Sequence, residues 1–353
     1  MLERIRTFSF ITAFLWLLRA AIIAVVVWGT IQTILHNPYS LRAWEDLVIF
    51  GIAQGSMYAL IAIGYTLVYG VLKMINFAHS EFFMSGIFTA TSVVALPLAE
   101  SGFMTAHPLL SVLAVGVVAI IVSVLIALVT ERIAYRPLRH SPRLMPLITA
   151  IGASFFWQYY FRGLFGSQVK PFPTITALEG TVPFLSTQIL KTHILVIVVT
   201  VVSLLALNFF ITKTKSGMAI RAVAENKDVA ALMGINVDRA ISLTFATCAA
   251  MAGIAGLLYA LVYHQVHFFM GFIPGIKAFT AAVLGGIGNI PGAAIGGLFL
   301  GLFESVGPSL FLQSLGIPAF NQLKDVIAFT MLVLVLIFRP QGILGERLAE
   351  KKA

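Results

Sequence analysis

The sequence predicts an all-α, polytopic membrane protein of about eight spanning helices plus a broken or re-entrant Gly-rich pair, in a single transmembrane domain over residues 1–353. Three observations carry this expectation. Apolar residues make up 59% of the chain against 10% charged, and mean hydropathy is +0.97, far from the balance that keeps a soluble domain dispersed. Apolar runs of roughly 20 residues, the length needed to cross a hydrocarbon core, recur along the chain. Lys and Arg gather in the short segments between those runs. The net charge of +9 therefore reflects topology, and the absence of a basic, aromatic-studded soluble face argues against nucleic acid. Cys248, the single cysteine, lies inside an apolar run and excludes an internal disulfide framework.

Taken in order, spans are expected at Phe14–Leu35, Leu47–Leu72, Phe82–Leu98, Pro108–Thr130, Leu144–Phe165, His193–Ile211, Ala240–Tyr263 and Leu323–Phe338. The first resembles a signal peptide behind Arg4 and Arg6. It is long, holds Arg19 and lacks a small-x-small cleavage site, so it is expected to be a retained helix. The basic segments 131–143 and 212–239, the N-terminal arginines, and a tail carrying Arg339, Arg347, Lys351 and Lys352 all belong in the cytoplasm. Both termini then lie on that side.

Parity constrains what remains. A single crossing through Lys277–Ser305 would leave the basic tail outside. Lys277–Ile287 and Ala293–Glu304 are each short for a span, and Gly288–Asn289–Ile290–Pro291–Gly292 breaks the run between them. A hairpin here keeps the tail inside. Interrupted segments are tolerated at membrane depth where protein or a water-filled cavity satisfies the backbone, and they point to transport pathways. The glycines of the run, Gly286 among them, equally suit close helix packing.

A second polar concentration runs from Gly51 to Glu81. Gln54, Tyr58 and Tyr65 share one helical face, and Asn76, His79 and Glu81 open the following span. Polar groups at this depth cost a few kcal/mol each unless they meet a partner or a cavity. Interhelical hydrogen bonding and a substrate path both fit them. Glu304 suits an interfacial position or an ion partner. His264 and His267 have metal-ligand spacing without a carboxylate nearby in sequence, so no metal is expected.

Between two apolar runs, Thr212–Arg239 is compact and polar. It reads as a short amphipathic helix with Ser216 as N-cap, Arg221, Glu225 and Asp228 along one side, and Gly234 as its stop. Ala222, Val223, Val229, Ala230 and Met233 populate the other side. Such a helix is either a solvated connector or a docking surface. No nucleophile elbow, zinc-protease motif or Walker A loop occurs. The chain is expected to be no enzyme, to need no cofactor, and to draw any work from an ion gradient or a partner.

Three blocks carry a resemblance: GSMYALIAIGYTLVYGVLKMINFAHSEFFMSG, RAVAENKDVAALMGINVDRAISLTFATCAAMAGIAGLLY and AAVLGGIGNIPGAAIGGLFLGLFES, followed by the tail FRPQGILG. From about Leu47 onward the chain resembles permeases of bacterial branched-chain amino-acid ABC importers of the LivH type. The resemblance implies a multi-pass protein among the lipids of the bacterial inner membrane, working by alternating access. It implies a related second permease of the LivM type, two cytoplasmic ATPase subunits and a periplasmic substrate-binding protein. It also implies that Asp228–Gly234 is a coupling helix of the E-A-A-x-x-x-G pattern, with Asp for Glu and Val for the first Ala. On this reading Arg221, Glu225, Asp228, Ala230 and Gly234 serve coupling. Gln54, Tyr58, Asn76, His79, Glu81, Gly286 and Asn289 are the expected pathway residues, half-helix N-termini suiting a substrate carboxylate. Ser80 departs from the family, which has Gly after the His. Permeases for urea or short amides share this architecture. An ion-coupled secondary transporter would need an ionisable residue at mid-depth, for which Glu81 is the candidate.

Overall fold

Long apolar segments satisfy their backbone internally, which in hydrocarbon leaves the helix as the local solution. The computed structural model describes residues 10–36, 39–139, 141–142, 144–184, 187–339 and 341–345. Arg4, Arg6, His140, Arg143, Arg347, Lys351 and Lys352 lie outside them. The chain runs α1 (Phe10–His36), α2 (Leu41–Leu72) and α3 (His79–Ala90), the last continued by a π turn into α4 (Leu96–Glu100). After the short α5 (Phe103–Ala106) come α6 (Pro108–Thr130), α7 (Leu144–Phe165) and α8 (Lys191–Lys213). The polar connector forms α9 (Lys215–Glu225) and α10 (Lys227–Leu232), and then α11 (Val237–Tyr263), α12 (Phe272–Gly285), α13 (Ile290–Gly307) and α14 (Lys324–Phe338) complete the bundle.

Among the described residues, eight helical rods are long and apolar enough to cross a membrane. Their membership differs from the sequence expectation at one place. Leu144–Phe165 forms a helix of 22 residues as α7, but Gln158, Tyr159, Tyr160 and Arg162 dilute its apolar character and it is not one of the eight. Ile290–Leu312 takes that place, because α13 continues through a π turn over Pro308–Leu312.

The Gly-rich run is a hairpin of two helices, longer than expected on both arms. Its break lies at Gly286–Asn289 rather than 288–292. Asn289 caps α13, accepting from Gly292 N at 2.9 Å, so Ile290, Pro291 and Gly292 already belong to the helix. Gly286, at φ +105°, turns the chain where an L side chain is strained. The tail then closes this end. Ile343 N donates to Leu284 O (2.8 Å), Leu344 N to Gly285 O (3.0 Å), and Asn289 Nδ2 to Leu344 O (2.9 Å). Leu284 O and Gly285 O are carbonyls that a helix C-terminus leaves without partners.

At the opposite end, β1 (Lys170–Pro171) pairs antiparallel with β4 (Gln265–Val266), with Lys170 opposite Val266. A hairpin of β2 (Thr181–Phe184) and β3 (Thr187–Leu190) rests on α2 through a hydrogen bond from Thr187 to Asp46. Arg19, within the first span, stacks between Trp16 of its own helix and Phe338 of α14, 5.2 Å from each ring centroid.

The most extensive helix contact joins α13 to α2, and α13 also packs on α12. Small residues make this possible. A Cβ on Gly301 would stand 2.2 Å from Gly55 N, and one on Gly296 would stand 2.1 Å from Ala281 O. Overpacking of this kind costs roughly 1–3 kcal/mol. Gly301→Leu is therefore expected to lower the thermal midpoint of the detergent-solubilised protein by several degrees or to abolish its monodisperse peak. Gly152→Leu, where an added Cβ meets nothing within 4 Å, should behave as wild type. Equal stability of the two variants would refute the packing argument.

Candidate functional site

Three buried polar groupings, one exposed surface and the tail-capped break between α12 and α13 contain the coupling and pathway residues singled out above. The first joins α2, α12, α13 and α14. Gln54 Nε2 donates to Tyr58 OH (2.7 Å) and to Glu304 Oε1 (3.0 Å). Lys277 Nζ lies 2.5 Å from Glu304 Oε1, 2.6 Å from Asp325 Oδ1, and 5.8 Å from the centre of the Tyr58 ring. Glu304 is thus an ion partner and not an interfacial residue. Lys277 and Asp325, which sequence reasoning passed over, complete the cluster. The clue available was that a charge within an apolar run requires a partner.

The second grouping surrounds the entry to α3. Tyr135 OH donates to Asn76 Oδ1 at 2.5 Å, and Ala78 N donates to the same oxygen at 3.1 Å. His79 is fully buried, edge-on to Tyr65 and Phe82, and its ring occupies the space that a Cβ on Gly64 would need. Ser80 seats this turn on α12: its Cβ fills the surface left by Gly275, and its hydroxyl shares its one proton between Phe77 O at 3.1 Å and Glu81 Oε1 at 3.3 Å. The side chain of Ser80 is thus accommodated by a glycine across the contact.

The third grouping centres on Glu81. Its Oε1 accepts from Gln158 Nε2 (2.8 Å), Ser154 Oγ (2.9 Å) and Ser80 Oγ (3.3 Å). Its Oε2 is buried without a hydrogen-bond partner. Ser154 and Gln158, one turn apart on α7, were not anticipated. Their i, i+4 spacing within an otherwise apolar and aromatic helix is the signal that would have found them.

The pathway candidates therefore do not line one groove. Gln54 and Tyr58 belong to the Lys277 cluster, and Asn76, His79 and Glu81 to the α3 entry. Gly286 and Asn289 sit at the tail-capped break. His264 closes α11 with φ +53°, and His267 Nδ1 accepts from Phe269 N at 3.3 Å.

The exposed surface is the polar connector. It forms two helices and not the single one expected. Thr214, not Ser216, caps α9 by accepting from Gly217 N (3.0 Å). Asn226 interrupts the helix and restarts it, accepting from Asp228 N and Val229 N at 3.0 Å each. Arg221, Glu225 and Asp228 are all exposed, but they no longer share one helical face. Val223 and Ala230 are buried as the apolar face requires, whereas Val229, Leu232 (87% exposed) and Met233 (78%) point outward. Gly234 ends the pair at φ +81°. Behind it, Arg136 and Arg139 pair with Asp238, and Arg139 also with Glu131, tying segment 131–139 to the start of α11. Lys227 lines a cleft with Lys73 and Arg139. Partial burial, then the charges of Arg139 and Lys73, hold its ammonium below the usual lysine range.

Removing one partner of a buried ion pair strands the other at a cost of roughly 3–5 kcal/mol. Lys277→Met strands two carboxylates, whereas Glu304→Gln leaves Lys277 its contact with Asp325. We expect Lys277→Met to lower thermal stability in detergent more than Glu304→Gln does. The reverse order would contradict this geometry.

Comparison with known proteins supplies the family. The family described as branched-chain amino acid transport system / permease component matches residues 47–336. The high-affinity branched-chain amino acid transport system permease protein LivH of Escherichia coli K12 is 44% identical over 304 residues, covering 85% of this chain and 95% of that protein. The Salmonella typhimurium LivH gives the same identity and coverage. The corresponding protein BraD of Pseudomonas aeruginosa is 45% identical over 309 residues, 86% of this chain and 96% of its own length. Among solved structures, PsaBC from Streptococcus pneumoniae aligns with a TM-score of 0.42 at 14% identity, over 90% of this chain and 97% of its own. The chain belongs to the branched-chain amino acid transport permease family, and is a multi-pass inner-membrane transporter subunit rather than an enzyme.

Proposed function

We propose that this permease carries branched-chain amino acids (leucine, isoleucine and valine) into the cell as half of a two-permease core. A related second permease forms the other half, and two cytoplasmic ATPase subunits drive the cycle. A periplasmic binding protein delivers the substrate. The observation that carries this reading is identity of 44–45% across nearly the whole length of permeases named for that transport.

The α9–α10 pair supports the ATPase part. It presents Val229, Leu232 and Met233 outward, an apolar tip flanked by the exposed Arg221, Glu225 and Asp228. Apolar side chains this exposed on a small polar helix fit the groove of a partner. Ala230 and Gly234 shape that tip, one packing inward and the other ending it. We assign substrate passage to the region of Asn76, His79 and Glu81. Gln54 and Tyr58 stand toward its outer approach, and Gly286 and Asn289 toward its cytoplasmic end. An amino acid needs an apolar route for its side chain and polar groups for its ammonium and carboxylate, and this region offers both.

Co-purification tests the assembly. Tagged wild type should bring down two ATPase subunits. Leu232→Asp combined with Met233→Asp, at positions too exposed to affect folding, should lose them while keeping the second permease. A chain that purifies without ATPases, yet takes up solute in vesicles driven only by an ion gradient, would overturn the proposal in favour of a secondary transporter.

A further inference from the structure

The buried carboxylates of this bundle differ in one respect. Glu304 has a cation, Lys277, within 2.5 Å. Glu81 is equally buried but has only neutral donors, two hydroxyls and an amide, all on Oε1. Among the described residues no Lys, Arg or His pairs with it, and its Oε2 has no hydrogen-bond partner. A carboxylate desolvated in this way gains most from a cation that arrives from outside.

A cavity of about 250 Å³ adjoins it between α7, α12 and the entry to α3. Ser80 and Ser154, whose hydroxyls donate to Glu81, line that cavity, so the carboxylate stands one hydroxyl behind its wall. Tyr65 adds a third hydroxyl to the lining. The remaining wall is apolar, with Ile151, Phe155 and Phe272 prominent. Ile151 and Phe155 are 42% and 47% exposed, so the cavity opens on the flank of α7. A dry cavity of roughly 150 Å³ already accepts a benzene-sized guest, so this one suits a single small amino acid with a branched aliphatic side chain.

We propose that this cavity is a substrate subsite in which Glu81 receives the α-ammonium group. Ser80, Ser154 and Gln158 position the carboxylate, and Ile151, Phe155 and Phe272 hold the aliphatic side chain. The inference rests on the transport reading above and adds the chemistry by which the permease itself engages its cargo. Glu81 lies behind the hydroxyls of Ser80 and Ser154, so an ammonium in the cavity feels its charge across them, and it reaches the orphaned oxygen once those hydroxyls give way.

Thiol labelling reads the ammonium preference without relying on transport. In the assembled importer, with Cys248→Ala and Ile151→Cys, the reaction rate is measured with cationic 2-aminoethyl methanethiosulfonate and with neutral methyl methanethiosulfonate. The charge of Glu81 should favour the cationic reagent, and Glu81→Gln should lower the cationic-to-neutral rate ratio about tenfold, the effect of a charge a few ångströms away in a partly desolvated site. An unchanged ratio overturns the proposal. In proteoliposomes, Glu81→Gln should raise KM for leucine or cut uptake by about tenfold, with Glu81→Asp retaining part of the function. Should Glu81→Gln fail to assemble, Ile151→Trp fills the cavity from its exposed mouth, and normal uptake by that variant overturns the subsite. A wild-type complex that imports none of the three amino acids would instead sink the transport reading. Normal wild-type import with an unaffected Glu81→Gln sinks the subsite alone.

Discussion

The close approach of α13 to α2 and α12 is the contact on which the rest of the bundle depends. Lipid tails are as apolar as leucine, so helices in a bilayer gain little from hydrophobic burial and associate where their backbones fit closely. Gly297 and Gly301 admit α2 to backbone contact, and Gly292 and Gly296 admit α12. That register determines which polar groups meet. It brings Gln54 of α2, Lys277 of α12 and Glu304 of α13 within hydrogen-bond distance. Asp325 then draws the peripheral α14 onto the same lysine. The glycine stripe and the ion cluster are one device: the first permits the approach and the second fixes its register.

The same logic separates the two buried polar groupings by charge. Each charged member of the Lys277 cluster has an opposite charge in contact, and Gln54 bridges it to Tyr58. A charge-paired group of that kind rigidifies the bundle. The α3 entry is different. Among the described residues it holds no ion pair, and the second oxygen of Glu81, both ring nitrogens of His79 and the amide nitrogen of Asn76 are buried without hydrogen-bond partners, as are Glu304 Oε2 and Asp325 Oδ1 in the Lys277 cluster. Native interiors rarely tolerate such orphans, and Glu81 stands next to two residues that line a cavity, Ser80 and Ser154.

Most of the helices were legible because hydrocarbon thickness and the positive-inside bias are written directly into composition. The glycine hairpin was legible as a break because Gly, Asn and Pro occur together at 288–292. Its position was shifted because an Asn before Ile-Pro is a cap, so the helix begins sooner than the Gly and Pro residues suggest. The connector illustrates a competition among neighbours. Thr214 and Ser216 both qualify as caps, and Asn226 competes with helix continuation, which charge periodicity alone does not reveal. The ion cluster was half legible. Gln54, Tyr58 and Glu304 stood out, but their meeting with Lys277 and Asp325 spans as many as 271 sequence positions and follows from tertiary packing alone. The same holds for Ser154 and Gln158, whose partner lies on a helix far back in the chain.

The cytoplasmic end completes a continuous mechanical route. The exposed tip of α10 is joined through Asn226 to α9, and α9 is locked in turn: a Cβ at Gly217 would stand 2.2 Å from Phe210 O, and Ile220 and Val223 are buried. α9 packs on α2, α8 and α11. Asp238, at the start of α11, is gripped by Arg136 and Arg139. Further along α11, Gly256 lies so close to α3 that an added Cβ would stand 2.8 Å from Phe83 O, two residues from Glu81. Close-packed interiors transmit displacement instead of absorbing it. A partner that moves the α10 tip therefore acts on α11, and through α11 on the helix that carries the orphaned carboxylate. Packing thus runs without a gap from the exposed α10 tip to the polar groups around Glu81.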